Sequence, residues 1–514
     1  MKKIYTPLIV MLFACSIIKA QDGTPDNSFG TSGIATTQFS NASSDAYAIG
    51  RQTDGKIVIA GISAFGGTNI CVARFNTNGT LDNTFGTNGQ FKYNYGSASG
   101  ISALAIQTDG KIVLGGASAV DKAMLVRLTA NGQLDNTFGT GGIAEFQDGF
   151  SRVLDLRVLA NGKIVGIGKA VNLASKAVFG LFRRNADGSK DATFGTAGYF
   201  LADVGDNVIS TKMALQPDGK IVVTGTAFLN STKYDMVITR FTANGAWDPT
   251  FGTAGKTITA LFSGNGYEQG NDLLVQPDGK IVIAGRNSNS SNNGFLICRY
   301  KADGTLDNTF GTNGVTVTPF GSGSNDEIKS VTLMADGKIV VCGNSVTTAR
   351  KIALARYKAD GKIDNTFGTN GTVTTTIGNS SSAEEVLIQP DGKIVIGGWS
   401  QGSNGLRSFV VARYNNTGTS GLPTLQAASI GAKVFPNPIA NGTATLTYQL
   451  AESQTVATCL LSVEGRHVAS FFNEKQAAGE QNQTLEIPVG LPAGLYFLQI
   501  TTEKGVATMP IEIQ

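Results

Sequence analysis

The chain has 514 residues, a formal charge of +3 and 41 % hydrophobic residues, with 65 glycines against 13 prolines. That length accommodates two to four domains, or one repeat array with a small companion. No Gly-X-Y period is present, which excludes collagen, and Lys2, Lys3 and Lys19 carry the positive excess, so no basic patch argues for nucleic acid.

The chain opens MKKIYTPLIVMLFACSIIKAQDG, in which Lys2 and Lys3 precede an apolar run over Leu8–Ile18 that ends near the small residue Ala20. This is the pattern of a secretory signal peptide over residues 1–20, cleaved before Gln21. The competing reading is a lipoprotein signal with Cys15 as the lipidated residue. No other stretch is long and apolar enough for a membrane span. The remaining cysteines, Cys71, Cys298, Cys342 and Cys459, lie in apolar runs without CxxC spacing, so a buried apolar role is expected rather than a disulfide framework.

From Asp26 onward three phrases recur seven times in step. The first, LDNTFGTNG in its commonest form, has its phenylalanine at 29, 85, 138, 194, 251, 310 and 367. The second, DGKIV, begins at Asp54, Asp109, Asn161, Asp218, Asp278, Asp336 and Asp391. The third places Arg74, Arg127, Arg183, Arg240, Arg299, Arg356 and Arg413 five residues before a glycine. One unit reads as four strands, VTVTPF, IKSVTLMA, KIVVCGN and IALARYK. DG between alternating apolar runs predicts a hairpin, a type I′ turn with positive φ at both central residues. Asn161 in place of Asp implies that turn geometry matters there and the carboxylate does not. Four antiparallel strands in each of seven units point to an all-β, seven-bladed β-propeller over residues 21–418, with a linear solenoid as the alternative. Two closures are open: units that coincide with blades, or a first strand that completes the last blade.

The FG phrase is expected to connect one blade to the next. In its second copy Asp82 would accept backbone N–H groups, Gly86 would take positive φ, and Phe85 would be buried between blades. Asp109 and Gly110 make the hairpin turn of the second unit, and Arg127 represents the repeated arginine. Each arginine either pairs with a phrase aspartate or points into the channel to hold an anion. A calcium loop is the other reading of the phrase, weakened by its offering one carboxylate per copy.

The DGK turns and the FG phrases lie at one end of an antiparallel blade and are uniform. The loops at the other end differ in every unit, and variable loops on a rigid scaffold are where binding usually resides. The fifth unit has the longest of these loops. Asn265, Tyr267, Glu268 and Arg286 are therefore the first ligand-binding candidates, followed by Trp399 and Arg407 in the seventh unit. No catalytic set is evident. The one histidine, His467, lies near the C-terminus, so Ser-His-Asp and His-metal sites in the repeats are excluded, and no phosphate-binding loop is present. Paired carboxylates for glycoside hydrolysis would have to come from Asp206, Glu268, Asp326, Glu384 and Glu385. No cofactor is expected.

A polar linker spans 419–432. The last stretch, 433–514, has seven short strand-like runs and reads as a small β-sandwich of Ig-like type, with EGRHV as a turn.

The units resemble the delta-60 repeat family, which carries LDxTFGxxG, QxDGKIVxxG and ARYxxDG; the resemblance implies fold and no activity. The last eighty or so residues resemble the C-terminal sorting domain of type IX secretion in Bacteroidetes, through VFPNP (with Pro436, Asn437 and Pro438), VEGRHV and LPAGLYFLQI (with Gly494 and Tyr496). That resemblance implies export to the medium or the outer-membrane surface, and the type IX machinery as partner of residues 433–514. The basic residue that often precedes the last strand in the family is missing from MPIEIQ. The expected function is a secreted or surface-displayed, non-catalytic binding scaffold for a glycan or a surface protein. A polysaccharide-active enzyme and a structural surface-layer component are the alternatives.

Overall fold

Seven antiparallel four-stranded blades form a ring, with a separate two-sheet domain after them, in the computed structural model of the chain. The structure describes residues 21–514 apart from 65–66, 95–99, 119–121, 206–207, 231–232, 263–266, 289–293, 417–429, 463–466, 489 and 503–504. The expected signal segment 1–20, most of the expected linker and the VEGR part of the sorting motif therefore lie outside the described residues.

Blade 1 shows the plan: an inner strand Ser44–Arg51, then Ile57–Ser63 and Asn69–Phe75, and an outer strand Gln90–Asn94. The second and third strands are buried along most of their length, since both of their faces meet neighbouring blades. Apolar side chains from adjacent blades merge into shared clusters, as where Val58, Ile70 and Phe85 meet Ile101, Leu114 and Val126.

The blades are out of phase with the sequence units. The first strand of each unit is the outer strand of the preceding blade, so the FG phrase joins the third strand of a blade to its own outer strand. The expectation that it links successive blades is incorrect: that crossing is made by the variable loops, such as the one between Thr318 and Asn325. The physical reason is that the phrase folds back at once as a tight turn, with Gly89 N–H donating to Phe85 O at 2.9 Å.

This offset decides how the ring closes. Ile34–Thr37 is the outer strand of blade 7 and pairs with Phe409–Ala412, so the first strand completes the last blade. The seam lies within a turn. Gly23 N–H donates to Asn415 O at 2.7 Å and Asn415 N–H to Thr24 O at 2.8 Å, so Asp22–Asp26 continues where Asn416 leaves off.

The DG hairpins also differ from the expected turn. In blade 1 Gly55 has φ +85°, but Asp54 is not in the positive-φ region. The loop is a turn closed by Gly55 N–H to Gln52 O at 2.9 Å, and Asp54 Oδ1 accepts Lys56 N–H at 3.0 Å. One left-handed glycine is enough for this longer loop. Asn161 makes the same contact, to Lys163 N–H at 3.1 Å.

The C-terminal domain packs a three-stranded sheet, led by Lys433–Phe435, on a four-stranded sheet that includes Gln454–Leu461 and Gly494–Thr502. Tyr496, Leu498 and Ile500 enter its core. The alternate residues of that strand face the DG-turn end of the propeller. Gln499 Nε2 donates to Pro390 O at 2.9 Å, and the Arg51 guanidinium lies 5.7 Å from the Phe497 ring centroid.

Candidate binding site at the open end of the channel

The repeated phrases build one polar node per blade, at the DG-turn end. Seven times an arginine Nε donates to the phrase aspartate Oδ2 at 2.6–2.8 Å: Arg74–Asp82, Arg127–Asp135, Arg183–Asp191, Arg240–Asp248, Arg299–Asp307, Arg356–Asp364 and Arg413–Asp26. The aspartate Oδ1 accepts the N–H of the Thr or Ser two residues on, as in an Asx turn, at 3.1 Å for Asp82. In most blades the DGK lysine adds a contact, as Lys56 does to Asp82 at 3.1 Å. The guanidinium stacks on the phrase phenylalanine 4.6–4.9 Å away and donates through Nη1 to the next blade, as Arg74 does to Ala130 O at 2.6 Å. Phe85 lies fully buried beneath Gly132 of the next blade, where a Cβ would come within 2.6 Å of its ring. With its acceptor positions occupied in this way, the carboxylate is poorly placed to ligate calcium, and the arginines are turned away from the channel.

Inside the ring, every inner strand has a register shift at the same height, which skips Tyr47, Ser102, Leu154, Thr211, Asn271, Lys329 and Glu384. A bulge re-aims the side chain it carries. These seven equivalent positions hold seven different residue types, on strands whose neighbours repeat closely. Some stitch blades together: Thr211 Oγ1 donates to Gly270 O at 2.7 Å and Asn271 Nδ2 to Ile328 O at 2.7 Å. The next residue along carries the charge. Asp155, Asp272 and Glu385 accept the N–H groups of Met213, Val331 and Ile49 in the following blades at 3.0, 2.8 and 2.8 Å. Lys212 spans the ring between them, 3.8 Å from both Asp155 and Glu385. Burial would strip its proton, but these carboxylates outweigh desolvation and hold it charged. Arg157 closes the group on Asp155 at 2.7 Å. The middle of the channel is thus bridged by ion pairs.

Beyond that bridge, at the variable-loop end, side chains from blades 6, 7, 1 and 3 gather. Arg407 Nη1 donates to Asp45 Oδ1 at 2.8 Å and stacks 4.0 Å above the Trp399 ring. Trp399 Nε1 donates to Glu384 Oε1 at 3.1 Å, and Lys329 pairs with Glu327 at 2.9 Å. Burial pushes the Glu384 carboxyl above the ordinary glutamate range, against Lys329 and a hydrogen bond from Ser382. Tyr47 is pushed up to about 12, first by burial and then by Asp45 and Glu384. Arg152 acts on Tyr47 as well and makes no ion pair among the described residues. Hydroxyl, carboxyl, guanidinium and ammonium groups therefore share one half-buried recess.

The candidates from the fifth unit are only partly brought together. Tyr267 and Arg286 form a pair, the guanidinium 4.5 Å from the ring centroid, and Tyr234 of blade 4 extends it at 4.3 Å. Glu268 is not the exposed loop acid its sequence suggests: its side chain is fully buried, with Oε2 accepting Leu261 N–H at 3.4 Å, so it anchors the incoming chain. Asp326 does the same in blade 6, accepting from Phe320 N–H and Ser324. Trp399 is also more enclosed than expected, at 7 % exposure. Asn265 and Asp206 lie outside the described residues. Tyr47, Glu327, Lys329 and Arg152 were not singled out by their sequence; the signal that could have found the bulge residues is the lack of any repeated residue at that register.

The family match agrees with the propeller architecture. The family described as a β-propeller domain of unknown function, DUF5122, matches residues 52–85, 107–138, 159–194, 216–251, 276–310, 335–367 and 389–420. The secretion system C-terminal sorting domain matches 433–514. No curated protein matches. Among solved structures, a catalytically inactive virginiamycin B lyase from Staphylococcus aureus, with quinupristin, is 12 % identical with a TM-score of 0.40, covering 74 % of this chain and 98 % of that one. A protein of unknown function from Dyadobacter fermentans is 12 % identical with a TM-score of 0.39, covering 74 % and 99 %. Sqt1 from Chaetomium thermophilum is 12 % identical with a TM-score of 0.40, covering 74 % and 98 %. No helix among the described residues is long and apolar enough to cross a membrane. The chain carries seven DUF5122 β-propeller repeats and a Por_Secre_tail domain, the sorting signal of type IX export to the surface or the medium.

Proposed function

We propose that the propeller is an exported, non-catalytic binding scaffold whose ligand, a glycan or a surface protein, seats in the recess over blades 6, 7 and 1. The observation that carries this reading is the difference between the two ends of the ring. The DG-turn end repeats one structural node and carries the sorting domain, whereas the other end varies and gathers Tyr47, Lys329, Glu384 and Arg407. Such a set offers donors and acceptors at fixed positions beside aromatic rings, which suits a polyhydroxylated ligand or a polar peptide. The test is a glycan-array and cell-wall pull-down screen of the purified full chain, with and without calcium. A saturable hit that Arg407→Ala and Lys329→Ala each weaken by about tenfold supports the site. A hit that neither variant weakens moves it elsewhere, with Tyr267 and Arg286 next. No hit leaves a structural surface role as the better account.

A second reading has one observation in its favour. A carboxyl pushed by burial above the ordinary glutamate range, as Glu384 is, suits a general acid, and a polysaccharide-active enzyme would use it so. Turnover of a polysaccharide panel that Glu384→Gln abolishes would favour that reading.

A further inference from the structure

Four large apolar side chains stand out in solvent among the described residues, and Phe435 is the only aromatic one, at 77 % exposure. It belongs to VFPNP, a motif the propeller's function leaves unused. Its exposure is imposed by the strand. In Lys433–Phe435, Val434 packs on the domain core, so the period of two turns Lys433 and Phe435 outward. Phe435 lies opposite Thr445, which lies opposite Thr484, and both threonines are exposed.

The loop after it is fixed. Asn437 Oδ1 accepts Glu512 N–H at 2.8 Å and its Nδ2 donates to Pro510 O at 3.3 Å. Ile439 N–H donates to Glu512 O at 2.7 Å and Gln514 N–H to Ile439 O at 2.9 Å. The motif that opens the domain is thus clamped to the strand that ends it, and the ring beside the clamp is held out with no described residue covering it. The other broad face of the domain is taken: Phe497 and Gln499 sit on the propeller. A sorting domain has to be read by the export machinery while its cargo is attached, and the three-stranded face is the one that cargo leaves clear.

We propose that Phe435, with the threonine-rich sheet face around Thr445 and Thr484, is the surface that the export machinery reads, by taking the phenyl ring into an apolar pocket of a protein partner. This rests on the sorting-domain match and is independent of any ligand of the propeller.

The experiment follows the full chain in a bacterium with a working type IX system, as the fraction outside the cell against that retained in the periplasm. Phe435→Ala is expected to lower the exported fraction about tenfold or more, with Phe435→Tyr close to the parent. Thr484→Lys, which touches no core residue, is expected to impair export as well. Purified Phe435→Ala should melt with the parent, because the side chain it removes is in solvent. Export of Phe435→Ala and Thr484→Lys at the parental level overturns the proposal. So does an export defect matched by a lowered melting temperature in Phe435→Ala while Thr484→Lys is exported normally, since the role is then structural. A parent that dimerises through Phe435 in sedimentation, with export unchanged, assigns the face to a second copy instead. A chain lacking 433–514 that is still exported defeats the sorting reading itself, and the proposal with it.

Discussion

Arg356 Nη1 and Asp22 Oδ2 lie 2.7 Å apart although 334 residues separate them in the chain. Arg356 is fully buried, and it also holds Asp364 at 2.8 Å and Asn416. In the other blades the corresponding Nη1 reaches a backbone carbonyl of the next blade; here it grips the two chain segments that meet at the seam. Asp22→Ala leaves Arg356 paired with Asp364, so what it removes is one charged hydrogen bond at the seam, and it should destabilise by about 1.5–3 kcal/mol in urea denaturation. Lys362→Ala, at a pair whose lysine is 71 % exposed, should stay within about 0.5 kcal/mol. Equal effects would mean that the seam residues are incidental to closure.

The phrase aspartates set an acid limit. Burial alone would raise their carboxyls, but the Thr or Ser, Lys and Arg donors outweigh it, lowering Asp135 to about 2 and holding Asp82, Asp191 and Asp248 lower still. An aspartate lowered in the folded state contributes stability that is fully present above the unfolded value of about 3.9 and is lost as pH falls through the folded value. The urea midpoint should hold steady between pH 7 and about 5 and fall steeply between about pH 4 and 2. Asp82→Asn should remove part of that slope. A midpoint that stays level to pH 2.5 would contradict the assignment.

Glu384 should behave in the opposite sense. Its raised carboxyl means that charging it opposes folding, and the penalty grows as pH rises above the unfolded value of about 4.3. Glu384→Gln should hence be neutral or stabilising at pH 8 and lose that advantage at pH 4. Differential scanning at the two pH values decides it, and a destabilised variant at pH 8 would refute the sign.

The contact between blades can be probed from both sides. Phe85→Ala leaves a cavity between blades 1 and 2 and should cost about 3–5 kcal/mol. Gly132→Ala puts a methyl group into the same ring, at φ +78°, and should also destabilise. Because each change alters the space the other needs, the double variant should be less destabilised than the sum. Strict additivity in a denaturation cycle would show that the two residues do not interact.

Most of the architecture is legible in the sequence, because a hairpin glycine or an apolar run is a local signal and recurs in register. The phase of the blades is not: the same four strands can be grouped with the FG phrase inside a blade or between blades, and only pairing decides. The Arg–Asp pairs are legible from their matched numbers, Arg413 with Asp26 included. The recess is less so. Glu268 looks like an exposed loop acid until the crossing chain needs an acceptor for Leu261, and Tyr47 and Lys329 are ordinary strand residues until the bulges turn them. Cross-ring contacts such as Lys212 with Glu385 depend on closure, which no local pattern encodes.

The seam between Asn416 and Asp22 places both ends of the propeller chain side by side within one turn. Of the seven places where the ring could have been cut, this turn keeps the backbone contact of the rest, Gly368 N–H donating to Asp22 O as Gly86 N–H does to Asn131 O. The molecule is in effect a closed belt with a movable buckle. A circular permutant that fuses Asn416 to Asp22 through a short linker and opens at another such turn should keep every blade intact, at the cost of displacing the sorting domain to a new point on the rim.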